Sequence, residues 1–394
     1  MQNLNQMLTE TVFLEQTGKI NTALTELLIA KGGRMKPTSW AEVQRMVRDG
    51  TAAKVFSIGD QLTCQRGNDT LVWDVIGIDH DTPADPQFTH SMTLQLHDCF
   101  LTSMQLDATE AFYYAENGLA AGTYHFKIDP TYDATYNSFK DTGYQFTLTH
   151  AVPAGGQLCF GWTFNTQASA ANVTSYASAT STTAMEQVAV SEGADGTNLG
   201  TLTAAGDFSN NLNSIHRVRY GSNNYKESAI RQWLNSSAAA GSVWTPQTKF
   251  DRPPSWVSTA YGFMYGMDAD FLAAIGKTHL VVARNPVCDG GGYDEMDDYF
   301  FLPSRSEAYG GVEDSGVDEG TAYPYYANYS DLSAAGTGKD SNRIKYRDGI
   351  ARSWWMRTPY SGNGHDFRFV YPTGDVANYV ANGNHWVAPA CNII

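Results

Sequence analysis

Residues 352–359 read Arg-Ser-Trp-Trp-Met-Arg-Thr-Pro, and residues 386–394 read Trp-Val-Ala-Pro-Ala-Cys-Asn-Ile-Ile. Successive side chains of a β-strand point to opposite faces of a sheet, so Trp354 and Trp355 predict a strand that is covered on both faces. We expect Arg357 to fix the neighbouring chain by a buried hydrogen bond. The two stretches thus act as anchors, and their predicted core residues are Trp354, Trp355, Met356, Val387 and Ile393.

Residues 360–385, between the two anchors, are rich in Tyr, Asn, Asp and Gly. Tyrosine offers a large rigid contact area at little cost in rotamer entropy, whereas Asn, Asp, His and Gly offer adaptable hydrogen bonding, as in antibody paratopes. We expect the outward side chains of this stretch to form one contiguous exposed surface that binds a ligand. The predicted ligand-binding residues are Tyr360, Asn363, His365, Asp366, Arg368, Tyr371, Asp375, Asn378, Tyr379, Asn382, Asn384 and His385.

Helical patterns occur at the amino terminus. Residues 3–31 place apolar side chains at intervals of three and four, with Gly18 dividing the stretch. This pattern predicts either helices packed on their own domain or a stalk for oligomerisation or docking. Ser39 and Glu42 have the spacing of a capping box, which predicts a helix over residues 40–49 that Gly50 ends.

Alternation of apolar and polar residues predicts strands from residue 55 onward. The first of them are residues 55–58, 71–78 and 91–96. Residues 122–128 and 144–149 predict a small antiparallel insert at about 112–164. Residues 165–210 are poor in large apolar groups, so we expect them to wrap other elements as loops and edge strands.

Two further helices are predicted in the second half of the chain. Residues 225–235 place Ala229, Ile230, Trp233 and Leu234 on one face. Residues 268–275 start at a capping Asp268 and stop before Gly276, and a strand follows at 280–283. Short helices among many short strands predict an α+β fold.

Charge and apolar content argue against two classes of partner, nucleic acids and membranes. The chain carries 26 basic and 41 acidic residues, a balance of −15, with no basic cluster, so we expect no nucleic-acid partner. Long apolar runs are absent, and Glu10, Glu15 and Glu26 occupy the region where a secretory signal would have a basic start and an apolar middle. We therefore expect neither membrane insertion nor export by such a signal.

Cysteines and acidic residues give no metal pattern. The five cysteines form no Cys-x-x-Cys pair, which favours buried free thiols. Two acidic groups lack the spacing of a calcium loop, so we expect solvated surface loops and no bound metal. They are Asp294, Glu295, Asp297 and Asp298, and then Glu313, Asp314, Asp318 and Glu319.

Catalytic signatures are equally missing from the sequence. It contains no Gly-x-Ser-x-Gly elbow, phosphate-binding glycine loop or paired-histidine zinc motif. His365 and His385 lie in a stretch rich in Gly and Asn, where solvent exposure is expected. The sequence favours a binding protein that is not an enzyme and needs no cofactor.

The two anchors, residues 229–235 and the Phe-Phe-Leu-Pro-Ser stretch at 300–304 together resemble the variable proteins of diversity-generating retroelements. The most specific parts are the opening Trp-Trp-x-Arg-Thr-Pro and the closing Val-Ala-Pro. The resemblance covers roughly residues 55–394 and implies a C-type-lectin-like domain there. The predicted organisation is an N-terminal helical segment, 1–54, before this domain, which the β-rich insert interrupts.

The composition of residues 360–385 offers an independent check on this resemblance. In that family a reverse transcriptase corrupts the adenines of a template copy, so Asn codons scatter over other amino acids. Changing the first two bases of such codons never yields Lys, Glu, Gln, Met or Trp, because those codons need a purine in the third position. These five types number 59 in the whole chain, so 26 residues would contain about four, and residues 360–385 contain none.

The resemblance implies a protein that displays a hypervariable surface at about 360–386 and binds a protein or glycan receptor on a bacterial cell. Its expected location is a phage tail tip, or alternatively a bacterial cell surface, with residues 1–50 available for oligomerisation or docking to a tail protein. Two alternatives remain open. One is a non-variable structural or adhesive virion protein of the same fold; the other is a formylglycine-generating-enzyme-like oxidase, which would need a reactive pair such as Cys288 and Cys391.

Overall fold

The architecture comes from a computed structural model of the 394-residue chain. The structure describes residues 12, 16, 17, 19, 20, 23, 37–108, 110–128, 142–160, 171–202, 221–286, 288–313, 315–326 and 341–394. Sheets dominate these residues and the helices are few and short, so the fold is α+β, as the sequence predicts.

Helices with both ends inside the described ranges are α1 (Trp40–Arg48), α2 (Ala52–Val55), α3 (Ala229–Leu234), α4 (Ala269–Ala274) and α5 (Arg305–Tyr309). Single 3₁₀ turns lie at Ser255–Ser258, Pro324–Tyr326 and Ser341–Arg343. The predicted helices at 40–49, 225–235 and 268–275 are confirmed as α1, α3 and α4; α1 ends one residue early, and both ends of α3 and α4 lie inside the predicted bounds.

The strands of the first half are β1 (Gln61–Arg66), β2 (Asp69–Ile78), β3 (Met92–Leu96), β4 (Met104–Gln105), β5 (Ala111–Ala115), β6 (Gly122–Ile128), β7 (Tyr144–Leu148), β8 (Gly156–Phe160), β9 (Ala171–Tyr176), β10 (Ala184–Glu192) and β11 (Thr197–Leu202). Those of the second half are β12 (Ile275–Gly276), β13 (Thr278–Ala283), β14 (Tyr293–Asp298), β15 (Phe300–Phe301), β16 (Lys345–Arg347), β17 (Ile350–Arg352), β18 (Trp354–Pro359), β19 (Asp366–Val370), β20 (Val376–Val380), β21 (Asn384–His385) and β22 (Ala390–Ile393).

A six-stranded sheet joins the two ends of the described chain. Its order is β1-β2-β3-β22-β12, and β15 also pairs with β22. Because β22 pairs antiparallel with β3, the second anchor is built into the sheet that the first strands begin. The predicted core residues Trp354, Trp355, Met356, Val387 and Ile393 are all fully buried in the main hydrophobic core, which confirms both anchors.

A second sheet has a core of its own. Seven strands pair in the order β11-β6-β7-β10-β9-β8-β5, around a cluster that includes Phe112, Phe126 and Phe160. This sheet extends to Leu202, past the expected insert boundary at 164. Its outer pair, β11 with β6, is parallel, whereas the sequence predicted an antiparallel insert.

The expectation for residues 165–210 was partly wrong. Where the structure describes them, they form β9, β10 and β11, and only β11 is an edge strand. Val173, Val188 and Val190 supply the apolar side chains that pack on the second core. Small polar residues on the outer face are therefore compatible with strand formation, because the partner strands provide the main-chain hydrogen bonds.

The strand predicted at 55–58 does not form. Ala52 and Val55 are both buried at a helical spacing, and the amide of Phe56 donates to the Ala52 carbonyl (2.8 Å). Ile58 is exposed, and Gly59 follows with a φ of 90°. The apolar residues of this stretch therefore belong to a helical turn followed by a tight bend, and not to an alternating strand.

The predicted capping box at Ser39 forms only in part, and the predicted side-chain cap at Asp268 does not form. Ser39 Oγ accepts from the amide of Glu42 (3.2 Å), but the Glu42 carboxylate accepts from the amide of Thr38 (2.6 Å). Asp268 precedes α4, yet its carboxylate accepts from the Gln65 amide (2.7 Å). The second contact ties α4 to β1.

The predicted amino-terminal helical segment, 1–54, lies mostly outside the described residues. Those described between 12 and 23 are helical and exposed. Helix α1, in contrast, buries Val43, Met46 and Val47 in the main core. Helix α1, which belongs to the expected docking region 1–50, is therefore packed on its own domain.

Candidate functional site

The first anchor and the segment after it form a three-stranded sheet in the order β18-β19-β20. Trp355 is directly opposite Phe369 on β19, and Phe367 is opposite Tyr379 on β20. The indole of Trp355 meets Phe367 and Phe369 edge-on, with ring centroids 6.5 and 6.2 Å apart. The central strand β19 is buried along its whole length, so the segment rests on a rigid base.

The twelve predicted binding residues fall into three groups by exposure. Exposed side chains are Tyr371, Tyr379 and Asn384. Half-buried ones are Tyr360, Asn363, Asp375, Asn378, Asn382 and His385. The prediction of exposure was wrong for His365, Asp366 and Arg368, which are 7–9 % exposed.

Polar partners explain why β19 can bury charged residues. The Arg368 guanidinium donates to both carboxylate oxygens of Glu313 and lies 4.6 Å from the centre of the Tyr360 ring. Asp366 accepts from Nδ2 of Asn363 (3.1 Å) and from Nδ2 of Asn378 (2.6 Å). Buried charges need such partners, so Asp366 and Arg368 shape the segment from beneath rather than meeting solvent.

The two exposed tyrosines are held by the aromatic base below them. Tyr371 and Tyr379 are 46 % and 47 % exposed, and their ring centroids lie 4.7 and 6.3 Å from that of Phe369. Both contacts are edge-on, a favourable geometry for aromatic pairs. These two contacts therefore orient the tyrosine rings on the surface.

His385 belongs to the same aromatic group and not to the solvent-exposed loop that the sequence predicted. Its ring stacks on Phe369 at a centroid distance of 4.1 Å and meets Trp355 edge-on at 4.5 Å. Nδ1 shares a hydrogen bond with the Ser353 hydroxyl. Burial lowers the pKa of His385 to about 4, so the ring is neutral at physiological pH.

Arg357 confirms its predicted buried role with a larger set of partners than expected. Its guanidinium donates to both carboxylate oxygens of Glu307 (2.7 and 2.6 Å) and to the main-chain carbonyls of Leu302 and Glu319. Glu307 also completes a capping box with Ser304 at the start of α5. The Ser-x-x-Glu spacing of residues 304–307 was a signal that the sequence analysis missed.

The acidic residues at 294–298 do not form the predicted loop, since they lie on strand β14 beside β13. Asp298 is buried and receives two hydrogen bonds from the Arg231 guanidinium, at 2.7 and 2.8 Å. Asp294 pairs with Lys226, and Asp297 pairs with His279. Basic side chains thus already contact these three carboxylates.

The second acidic group also differs from the expected solvated loop. Glu313 and Glu319 are buried, while Asp314 lies outside the described residues. Burial raises the pKa of Glu319 to about 7, and its carboxylate accepts from the amide of Ala283 and the hydroxyl of Thr358. Across the part of the chain that the structure describes, no three His, Cys, Asp or Glu side chains are grouped so as to hold a metal ion.

The five cysteines are free and buried, as predicted. Burial raises the pKa of Cys391 well above its usual value, which disfavours the reactive thiolate. Cys288 lies on the loop after β13, where its amide donates to the Asn285 side chain.

Comparison with known protein families finds a match in the second half of the chain. Residues 200–394 match the family model described as a domain of unknown function, DUF6273. No curated protein matches the chain, and no solved structure does either. The matched region includes the three-stranded sheet and β22 but not strands β1–β3, with which β22 forms one sheet. Within the described residues, no helix has the length and apolar character to cross a membrane.

Proposed function

We propose that this protein binds a receptor through a diversified surface carried by a C-type-lectin-like scaffold. One observation carries the proposal: the segment 360–385, which contains none of the residue types that adenine mutagenesis of Asn codons cannot reach, folds onto a buried aromatic base and presents Tyr371, Tyr379 and Asn384 to solvent. A diversified binding protein needs this separation, because the scaffold must keep its fold while the outer side chains change.

The proposed binding surface is smaller than the twelve residues predicted from sequence. It comprises the side chains that reach solvent, Tyr360, Asn363, Tyr371, Asp375, Asn378, Tyr379, Asn382, Asn384 and the edge of His385. His365, Asp366 and Arg368 support it from below. The surface combines two half-exposed tyrosines with amides and a carboxylate. This combination suits a protein or glycan receptor, since both kinds of receptor offer apolar faces and hydrogen-bonding groups.

A randomised library tests whether the segment can serve as a binding surface. Positions 371, 375, 378, 379 and 384 would be varied with codons that end in a pyrimidine, and the protein would be displayed on yeast. We expect most members to reach the surface folded, and selection against an unrelated folded protein to yield specific binders. A matched library at buried positions 354, 355, 367, 369 and 370 should largely fail to display.

Equal loss of display in both libraries would refute the proposed separation of scaffold and surface.

A second test concerns the natural gene. We expect a near-copy of codons 352–394 downstream, differing at adenines and accompanied by a reverse transcriptase gene. Without that copy, a fixed adhesive protein of the same fold becomes the better explanation. The proposed location is a phage tail tip or a bacterial cell surface.

A further inference from the structure

Main-chain carbonyls of the segment 360–385 receive hydrogen bonds from outside it at several points. Asn285 Nδ2 donates to the carbonyls of Tyr360 (2.7 Å) and Asn363 (2.6 Å). Asn223 Nδ2 donates to the carbonyls of Asn363 (2.9 Å) and Asp366 (3.0 Å). Both asparagines are completely buried, so they form a fixed base under the turn between β18 and β19.

The same arrangement continues along the rest of the segment. The hydroxyl of Tyr309, on α5, donates to the Gly374 carbonyl (2.7 Å) at the turn before β20. After β20, Nε2 of Gln105 donates to the Asn382 carbonyl (2.7 Å). The amides of Leu106 and Asp107 both donate to the Ala381 carbonyl, at 2.9 and 3.0 Å.

These contacts share one chemical property. A main-chain carbonyl is present whatever side chain a residue carries, so a donor that binds it is insensitive to substitution at that position. Asn223, Asn285, Tyr309 and Gln105 all lie outside residues 360–385 and hold the segment where its sequence cannot alter the acceptor.

We infer that Asn223, Asn285, Tyr309 and Gln105 are positioning residues that hold the backbone of the candidate binding surface independently of its exposed side chains. The inference rests on the proposed function for its biological meaning, since a diversified surface needs a constant backbone. Its physical content can be measured without any ligand. We call these four residues the clamp. Failure of the clamp and failure of the proposed function are therefore distinguishable.

Asn285→Asp is the sharpest test of the clamp. Aspartate keeps the oxygen that accepts from the Cys288 amide (3.2 Å) but replaces the Nδ2 donor with an acceptor facing two carbonyls. Asn235→Asp is the matched control, because Asn235 Nδ2 also donates to two carbonyls, those of Arg231 and Phe300, away from the segment. Local opening of each site is read by amide hydrogen exchange with mass spectrometry.

We expect Asn285→Asp to speed exchange in peptides covering residues 360–368 by roughly 10- to 100-fold, the loss expected for two buried hydrogen bonds. Peptides from β3 and β22 should keep wild-type rates, which separates loss of positioning from general unfolding. Asn235→Asp should speed exchange near residues 299–301 and leave 360–368 unchanged. Tyr309→Phe, which removes only a hydroxyl, should speed exchange around residues 371–376.

A fourth variant tests independence from the exposed side chains. Replacing the exposed Tyr371, Tyr379 and Asn384 together by serine should leave exchange of residues 360–385 within about threefold of wild type. If this variant loosens the segment as much as Asn285→Asp does, the segment is held by its own side chains and the inference is wrong. Wild-type exchange at 360–368 in Asn285→Asp would overturn it equally.

A binder selected from the display library links the clamp to function. Asn285→Asp in that binder should weaken its affinity, whereas Asn235→Asp should not. If no binder can be selected, the proposed function fails while the exchange results still decide the clamp. If binders exist and Asn285→Asp neither loosens the segment nor weakens them, the clamp fails while the proposed function stands.

Discussion

Truncating Trp355 to alanine tests whether the first anchor is scaffold or binding surface. The side chain is fully buried, its indole Nε1 donates to the Met104 carbonyl (2.9 Å), and its ring contacts Phe367, Phe369 and His385. Removing a buried tryptophan costs about 3–5 kcal/mol through lost burial and the cavity left behind. That is a large part of the roughly 5–15 kcal/mol by which a typical domain is stable.

Urea unfolding followed by far-UV circular dichroism measures the effect. With a slope of about 2–3 kcal/mol per molar urea, Trp355→Ala should move the midpoint of the main-core transition down by roughly 1–2.5 M. Tyr371→Ala is the control, since its side chain is 46 % exposed and such substitutions usually shift stability by no more than about 0.5 kcal/mol. A Trp355→Ala protein with the wild-type midpoint would refute the assignment of residues 352–359 to the core.

Three further predictions concern the second core, the buried carboxyl group and the acidic strand. Phe112→Ala leaves a cavity in the second core, so it should destabilise the seven-stranded sheet by about 3–5 kcal/mol and speed amide exchange in β6 and β8. Unchanged exchange in these strands would contradict a separate core. Burial raises the pKa of Glu319 from 4.5 to about 7, so the stability that its neutral form provides is complete below about pH 4.5 and is lost as the pH rises to about 7. Glu319→Gln should flatten that part of the pH profile of the urea midpoint, and an identical slope in both proteins would show that another group is responsible. Because Asp294, Asp297 and Asp298 already pair with Lys226, His279 and Arg231, EDTA and calcium should each leave the melting temperature unchanged, and a rise with calcium would mean that a site was overlooked.

Local physics allowed the sequence to predict many elements. The apolar face from Ala229 to Leu234 identifies α3, and the alternation in residues 122–128 identifies β6 with its full bounds. In both cases the signal lies within a few residues, where capping and side-chain periodicity act. The strand predicted at 55–58 does not form because four residues are too few to separate a helical turn from alternation, and the adjacent Val55 and Phe56 are both buried.

The candidate site was predictable only in part, for a related reason. The tyrosines and asparagines of residues 360–385 are visible in the sequence, as is the apolar character of the anchors. The burial of Arg368 depends on Glu313, which is 55 residues away along the chain. The donors Asn223 and Asn285 carry no local pattern that would indicate their carbonyl partners more than 70 residues away.

The sequence by itself determined the two anchors, the α+β class and the unusual composition of the segment between them, because apolar periodicity and amino-acid composition are properties of neighbouring residues. Tertiary structure alone decided which side chains of the segment reach solvent. Exposure of a strand residue depends on what pairs beside it and packs on each face, and for β19 those neighbours come from distant parts of the chain. A pattern within one stretch therefore predicted a surface, and only the assembled fold showed that its central strand is the support beneath it.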